Sequence, residues 1–278
     1  MLLGDIIGKA RTLAEQFRIP ESDFKYVICA QLGCSSVELI LKRHVAVSID
    51  DEEALANAFN RLVKHEPPQY ISGKAAFYHQ YLDVDPRVLI PRSETEGLVE
   101  LALHHLSDGM KVLEIGTGSG AIAIALQNVK PSLRIVATDI SESALEVAKS
   151  NAKLCKAEIE FAQADLFPSL PGEFDAIISN PPYISADEMR QLEPKVSDFE
   201  PHLALYGGID GLDFYRRILE RAGKYLAPKG FIAFEHGAYQ RDAIQHIAKA
   251  YGWQNIETHR DLQGMDRYTL VFAPRTTE

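Results

Sequence analysis

From Leu2 to about Glu66 the apolar residues return every third or fourth position, the spacing that lines one side of a helix rather than alternating as in a strand. Helices are predicted over Ile6–Phe17, Phe24–Leu32, Val37–Leu41 and Ala54–Val63. S-S-V-E at Ser35–Glu38 and D-D-E-E at Asp50–Glu53 supply start signals of the capping-box kind, with Asp standing for Ser/Thr in the second. These segments predict a small helical bundle over residues 1–66. The pattern changes at P-P-Q-Y-I-S-G-K: Phe77 to Ile90 is aromatic and β-branched, broken by Asp85-Pro86, and reads as a β-hairpin or a pair of short strands, so that residues 67–92 form a linker. S-E-T-E at Ser93–Glu96 then caps a helix running to about Leu106.

Beyond that point short apolar runs alternate with helical periods. Strands are predicted over Lys111–Ile115, Arg134–Asp139, Glu158–Gln163, Asp175–Ser179, Phe231–Glu235, Gln254–His259 and Tyr268–Phe272. Helices are predicted near Ala121–Asn128, Ser143–Leu154, Leu212–Leu226 and Arg241–Tyr251. Such alternation predicts an α/β fold over residues 93–278, a parallel sheet covered on both faces. The last two strands leave no room for a helix between them, so one is expected to run antiparallel at or near the edge.

Composition narrows the classes. The chain has 278 residues, 46% hydrophobic and 24% charged, enough for one large α/β domain and a smaller one. No apolar run reaches the ~20 residues that cross a bilayer, and M-L-L-G-D-I-I-G-K-A-R lacks a basic leader segment, so neither a membrane association nor a secretory signal is expected. Cys29, Cys34 and Cys155 fit neither a disulfide framework nor C-x-x-C metal spacing, and the histidines show no H-E-x-x-H; the expected compartment is the cytoplasm, with no metal. The formal net charge of -10 argues against a broad duplex-DNA footprint, which needs a basic face.

V-L-E-I-G-T-G-S-G-A-I-A-I-A-L passes from a strand through glycines directly into a helix. Gly116, Gly118 and Gly120 let the backbone turn sharply and come close to a flat ligand, with Thr117 and Ser119 between them. In a sheet of this kind ligands bind at the carboxyl ends of the strands, near the switch point. Asp139 ends the next strand about twenty residues on, where a carboxylate can accept from both hydroxyls of a ribose. The same spacing satisfies a dinucleotide fingerprint through Ala121, so a nucleoside-containing cofactor is indicated and its kind left open. At the end of the third strand Asp165 can accept from an exocyclic amine and Leu166 can cover an adenine face; the plainer reading is a loop acid with an apolar anchor. Glu114, a carboxylate at a strand end beside the glycines, needs a cationic or donor partner. The amino group or sulfonium of S-adenosylmethionine suits that need, whereas the pyrophosphate of a dinucleotide would be repelled.

S-N-P-P-Y-I at Ser179–Ile184 closes the fourth strand. Its prolines fix φ and remove two N–H donors while keeping every carbonyl, which leaves a stiff loop rich in acceptors. Such a loop suits methyl transfer to an amide nitrogen. That nitrogen is a poor nucleophile, because its lone pair is delocalised into its carbonyl. The Asn180 carboxamide oxygen and the Pro181 carbonyl can grip both of its N–H bonds and aim the lone pair, positioning that accounts for much of the catalysis. Pro182 stiffens the loop, and Tyr183 supplies a π-face for a planar amide or base. An isolated N-P-P-Y reads as a turn; hydride transfer has no use for it.

These motifs resemble the class I S-adenosylmethionine-dependent methyltransferases that methylate a planar NH₂, and more narrowly the bacterial peptide chain release factor glutamine methyltransferases. P-Q-Y-I-S-G at Pro68–Gly73, V-L-I-P-R-S-E-T-E at Val88–Glu96, E-P-H-L-A-L-Y-G-G-I-D-G-L-D-F-Y-R at Glu200–Arg216, F-E-H-G-A-Y-Q at Phe234–Gln240 and R-D-L-Q-G-M-D-R at Arg260–Arg267 carry the likeness, which spans Pro67 to Phe272. It implies a Rossmann-like seven-stranded sheet and methylation of the Gly-Gly-Gln glutamine of class 1 release factors on its side-chain amide nitrogen. S-adenosyl-L-homocysteine would be the second product. It further implies cofactor contacts at Gly116 to Gly120, Asp139, Leu166 and Asn180, a hold on the glutamine by Asn180 to Tyr183, and a helical head that seats the protein substrate. Leu166 departs from relatives with an aromatic there, which implies weaker adenine stacking. Arg92 and Glu94 are candidates for the cleft wall, Glu94 equally for the helix N-terminus. Glu235 is expected to border the substrate or to pair with Arg267, and Gly207, Gly208 and Gly211 to shape a turn. The alternatives are a nucleic-acid adenine amino-methyltransferase and a non-catalytic adaptor that holds S-adenosylmethionine.

Overall fold

The computed structural model describes residues 1–169 and 173–273. Two compact units are built from them: residues 1–74 with 84–86 and 193–199, and residues 75–83, 87–192 and 200 onward. The first unit is helical: α1 (Leu3–Phe17), α2 (Glu21–Leu32), α3 (Ser36–Leu41), α4 (Ile49–Leu62) and α5 (Pro68–Ser72). Its core follows from the three-to-four spacing, with Leu3, Ile6, Ala10 and Ala14 of α1 facing Phe24, Val27 and Ile28 of α2 and Leu55, Phe59 and Leu62 of α4. Phe24 and Phe59 meet edge to face, 5.2 Å between ring centres. Ser35 and Glu38 form the expected capping box, whereas α4 is capped by Ser48, whose Oγ accepts from the Asp51 amide at 3.1 Å. The acids Asp50, Asp51 and Glu52 instead fill the first turn of α4, where they favour the positive end of the helix.

A hairpin forms earlier than expected, over β1 (Lys74–Phe77) and β2 (Gln80–Asp83), while residues 84–90 carry no strand and residues 68–72 are the helical turn α5, with Pro68 at a position that needs no N–H. Tyr78 and His79 at the hairpin tip both have positive φ, 46° and 64°. Tyr78 is anchored there, its amide donating to Glu96 Oε1 at 2.9 Å and its hydroxyl to Glu100 Oε1 at 2.6 Å.

The second unit continues with α6 (Ser93–His105), β3 (Lys111–Ile115), α7 (Ala121–Val129), β4 (Arg134–Asp139), α8 (Glu142–Cys155), β5 (Ile159–Gln163), β6 (Phe174–Ser179) and α9 (Ala186–Met189). After α10 (Pro194–Ser197), which lies in the first unit, come α11 (Asp213–Ala222), β7 (Leu226–Glu235), α12 (Arg241–Ala250), β8 (Asn255–Arg260) and β9 (Asp266–Phe272). The seven strands β3 to β9 form one sheet in the order β5-β4-β3-β6-β7-β9-β8. The pairs from β5 to β7 are parallel, and β9 is antiparallel to both of its neighbours, one strand in from the edge. One face packs on α6, α7 and the hairpin through Leu98, Val99, Ile124, Leu126, Phe77 and Leu82. The other packs on α11 and α12 through Tyr215, Ile218, Leu219, Ile244 and Ala248. Helix α6 starts at Ser93 without a side-chain cap, and Ser93 Oγ donates to Glu94 instead. Helix α11 ends at Ala222 rather than near Leu226, because Leu226 already pairs with Phe174 in the sheet. No described helix is long and apolar enough to cross a membrane.

Candidate active site

The order of strands reverses its direction of growth between β3 and β6, so the loops after these strands diverge and open a crevice at their carboxyl ends. A cleft of about 280 Å³ lies there, lined among others by Gly116, Gly118, Asp139, Leu166, Asn180 and Pro181. Gly116 and Gly118 hold φ of +74° and +55°, and a Cβ added to either would meet nothing within 4 Å, so the backbone borders open space. Gly120 serves packing instead: a Cβ there would lie 3.3 Å from that of Ala148 on α8. Thr117 and Ser119 are buried and do not line the cleft. The Ser119 carbonyl is held by Asn151 Nδ2 at 2.9 Å, and the same side chain pairs with the backbone of Asp83.

Asp139 is fixed through both carboxylate oxygens, which accept from the Gly118 and Ser141 amides at 2.9 Å each. Each oxygen keeps acceptor capacity toward the cleft. Burial pushes its carboxyl up, against the pull of these amides. Asp165 reaches the wall, but its carboxylate pairs with Arg217 at 2.6 Å. Leu166 sits beside it with φ of +74°, its carbonyl held by the Thr138 hydroxyl at 2.7 Å.

Asn180, Pro181 and Pro182 line the same cleft. Asn180 Nδ2 donates to Thr95 Oγ1 at 3.1 Å, and no donor among the described residues reaches its side-chain oxygen or the Pro181 carbonyl. Tyr183 packs its half-buried ring on the apolar core instead of lining the cleft, and burial pushes its phenol up to about 12, so the ring is neutral at ordinary pH.

Four expected wall residues lie elsewhere. Glu114 is 1% exposed and accepts from the Thr117 hydroxyl at 2.7 Å and the Ala123 amide at 3.2 Å, so the chain itself supplies the donors that this acid needs. Burial raises its carboxyl to about 8. Arg92 pairs with Glu200 at 2.5 Å, and the Glu94 carbonyl accepts from the Tyr268 hydroxyl at 2.6 Å. Glu235 is buried at the end of β7 and forms no pair with Arg267, which turns to Asp261 at 3.1 Å and to the His236 carbonyl.

Residues outside the Asn180–Tyr183 motif hold the loop. Gly207 and Gly211 do more than shape a turn: a Cβ on Gly207 would lie 2.6 Å from the Pro182 carbonyl oxygen, and one on Gly211 would collide with that of Tyr183. The Gly207 amide donates to the Ile184 carbonyl at 2.9 Å. Gln240 Nε2 donates to the Tyr183 and Gly211 carbonyls at 2.9 and 3.2 Å, while its oxygen accepts from Gly237. The fragments F-E-H-G-A-Y-Q and V-L-I-P-R-S-E-T-E signalled Gln240 and Thr95 only as parts of a likeness, and Asn151 gave no signal at all.

Residues 71–194 match the methyltransferase small domain, and with the strand order this gives the sheet unit the class I methyltransferase fold. A solved methyltransferase from Pyrococcus furiosus, 21% identical, superposes with a TM-score of 0.54 over 69% of this chain and 87% of its own, a likeness of fold. Residues 8–73 match the PrmC N-terminal domain. The release factor glutamine methyltransferase of Streptococcus pneumoniae is 41% identical over 250 residues, 89% of each chain. That of Lactococcus lactis is 43% identical over 227 residues, 80% of this chain and 84% of its own. The chain belongs to the release factor glutamine methyltransferase family.

Proposed function

We propose that the protein transfers the methyl group of S-adenosylmethionine to the side-chain amide nitrogen of the glutamine in the Gly-Gly-Gln motif of class 1 peptide chain release factors. The observation that carries this reading is the pair of acceptors at the cleft. The Asn180 NH₂ is committed to Thr95, so its oxygen and the Pro181 carbonyl are left to receive two N–H bonds. The names of the relatives point to the same chemistry.

The cleft fits the cofactor. Gly116 and Gly118 leave open space where a Cβ would intrude, the Asp139 oxygens keep lone pairs for ribose hydroxyls, and Leu166 offers an apolar wall for the adenine. When bound there, S-adenosylmethionine supplies an electrophilic methyl on a sulfonium. The chain's own work is orientation: Asn180 and Pro181 accept from the substrate NH₂ and aim its lone pair, and the prolines keep these acceptors from moving. Tyr183 stays neutral and stiffens the exit of the loop through Gln240. No general base precedes transfer, because a methylated amide nitrogen is strongly acidic and loses its proton readily.

The test is transfer from radiolabelled S-adenosylmethionine to three substrates side by side: a full-length release factor, the same factor with the Gly-Gly-Gln glutamine replaced by alanine, and duplex DNA. Label on the first alone is expected. Label on DNA would replace the substrate by an adenine amino group, and no label with cofactor bound would favour an adaptor.

A further inference from the structure

Glu235 presents an unsolved expense in the fold. It is 1% exposed, its Oε2 meets no donor among the described residues, and it neither lines the cleft nor forms an ion pair. A buried acid left short of partners is destabilising, so such groups survive for a reason beyond packing. Its position supplies one. Strands β6 and β7 run parallel with Ser179 opposite Phe234, so the next residues, Asn180 just past β6 and Glu235 at the last position of β7, lie side by side. Thr95, 5% exposed on the first turn of α6, accepts from Asn180 Nδ2 at 3.1 Å, and the Thr95 and Asn180 side chains both act as donors toward the Glu235 carboxylate.

We propose that Glu235 is a positioning residue for methyl transfer: acting through the Thr95 hydroxyl, it fixes the Asn180 carboxamide with its oxygen, rather than its NH₂, turned to the cleft. The argument is one of direction. A carboxylate only accepts hydrogen bonds, so the Thr95 hydroxyl must give its proton to Glu235. Having given it, Thr95 can only accept from Asn180, and Asn180 must then present its NH₂ inward. The oxygen is thereby left facing outward. A flipped carboxamide would set oxygen against oxygen in a buried place, where such a mismatch is costly. A neutral acid or an amide at position 235 can donate as well as accept, and the sense of the chain is no longer forced.

The surroundings agree. Thr95 and Asn180 both draw the Glu235 carboxyl toward its charged form, against burial, which raises it to about 7. Arg267 on β9 also pulls it down and Glu94 on α6 pushes it up. The phenols of Tyr183, Tyr215 and Tyr268, from the loop after β6, α11 and β9, all face its charge. Glu235 therefore titrates near neutrality, and the orientation of Asn180 should follow that titration.

This inference rests on the reading that Asn180 receives the glutamine amide. The test uses the full chain, a full-length release factor and labelled S-adenosylmethionine, with cofactor affinity by calorimetry as the check on folding. Glu235→Gln keeps the shape and removes the direction; kcat should fall about tenfold to a hundredfold, the scale on which small misplacements act, with cofactor affinity retained. In the unaltered enzyme kcat should rise as pH passes from mildly acid to neutral and Glu235 ionises, and that limb should vanish in Glu235→Gln. Thr95→Val should reproduce the loss and Thr95→Ser should escape it, a comparison that stands even if Glu235→Gln does not fold. Equal kcat for Glu235→Gln and the unaltered enzyme across that pH range, or equal activity of Thr95→Val and Thr95→Ser, would overturn the proposal. An unaltered enzyme that never labels the release factor would overturn the function itself, a failure visible before any variant is made.

Discussion

A carboxamide oxygen and a proline carbonyl are weak bases, and at Asn180 and Pro181 their value lies in where they are held. Asn180→Ala removes one acceptor from the cleft and none of the residues around Asp139. Methyl transfer should fall by about a hundredfold or more, as for loss of a single preorganised hydrogen-bonding group in an active site, while calorimetry shows cofactor binding within about twofold. Turnover close to that of the unaltered enzyme would refute the acceptor mechanism. Glu114 makes a different prediction, about stability. Its carboxyl is raised to about 8 by burial, so between about pH 4.5 and about pH 8 the folded chain holds a proton that the unfolded chain has lost. Stability therefore falls as pH rises through that window, by on the order of 4–5 kcal/mol for this group in the absence of cofactor. Glu235, raised to about 7, acts in the same direction. In Glu114→Gln an amide oxygen can still accept from Thr117 and Ala123, and urea melts at about pH 5 and about pH 8 should lie closer together than for the unaltered protein. Equal separation of the two melts in both proteins would mean that Glu114 is charged in the fold.

At the scale of elements, the sheet holds the ends of β3, β4 and β6 in register, and the loops they carry need further ties. Gln240 at the start of α12 supplies two to the Tyr183 and Gly211 carbonyls. Gln240→Ala leaves both carbonyls unpaired, a cost of about 1–3 kcal/mol if water does not reach them, and loosens the loop that carries the acceptors. Single-turnover assays should show kcat lower by about tenfold with cofactor affinity unchanged; lost cofactor affinity with normal kcat would place Gln240 in the wrong role. The legibility of the fold follows the same division. Glycine loop, Asp139 and Asn180–Tyr183 each sit at the end of an apolar run, so the sequence shows both the residue and the strand that delivers it. Thr95 and Gln240 lie 85 and 57 residues from their partners, on helices whose patterns report only which face is buried. Glu114 and Glu235 read as candidate wall residues because strand ends often face a cleft, yet side chains alternate along a strand, and these two are buried with their own donors or neighbours. Short turns such as α9 and α10, four residues each, are too brief to show a period.

For the whole molecule, the helical unit closes its own core, and among the described residues none that line the cleft belongs to it. Residues 8–73 match the PrmC N-terminal domain, and the task we propose for this unit is to seat the protein substrate. Deleting residues 1–66 should then raise the KM for a full-length release factor by about tenfold or more, a loss of at least about 1.4 kcal/mol of contact, with much less effect on cofactor binding by calorimetry. Equal losses in both would make the head a structural support. Net charge of -10 sets a related bound, since substrate contacts must be local rather than a broad basic field.

One measurement bears on the central claim most directly: tandem mass spectrometry of a full-length release factor after incubation with the protein and S-adenosylmethionine, reading which atom carries the new methyl group. A single methyl on the side-chain nitrogen of the Gly-Gly-Gln glutamine, missing when Asn180→Ala replaces the unaltered enzyme, is the predicted result. A methyl on any other residue, or an unmodified glutamine from an enzyme that binds its cofactor, would contradict the account.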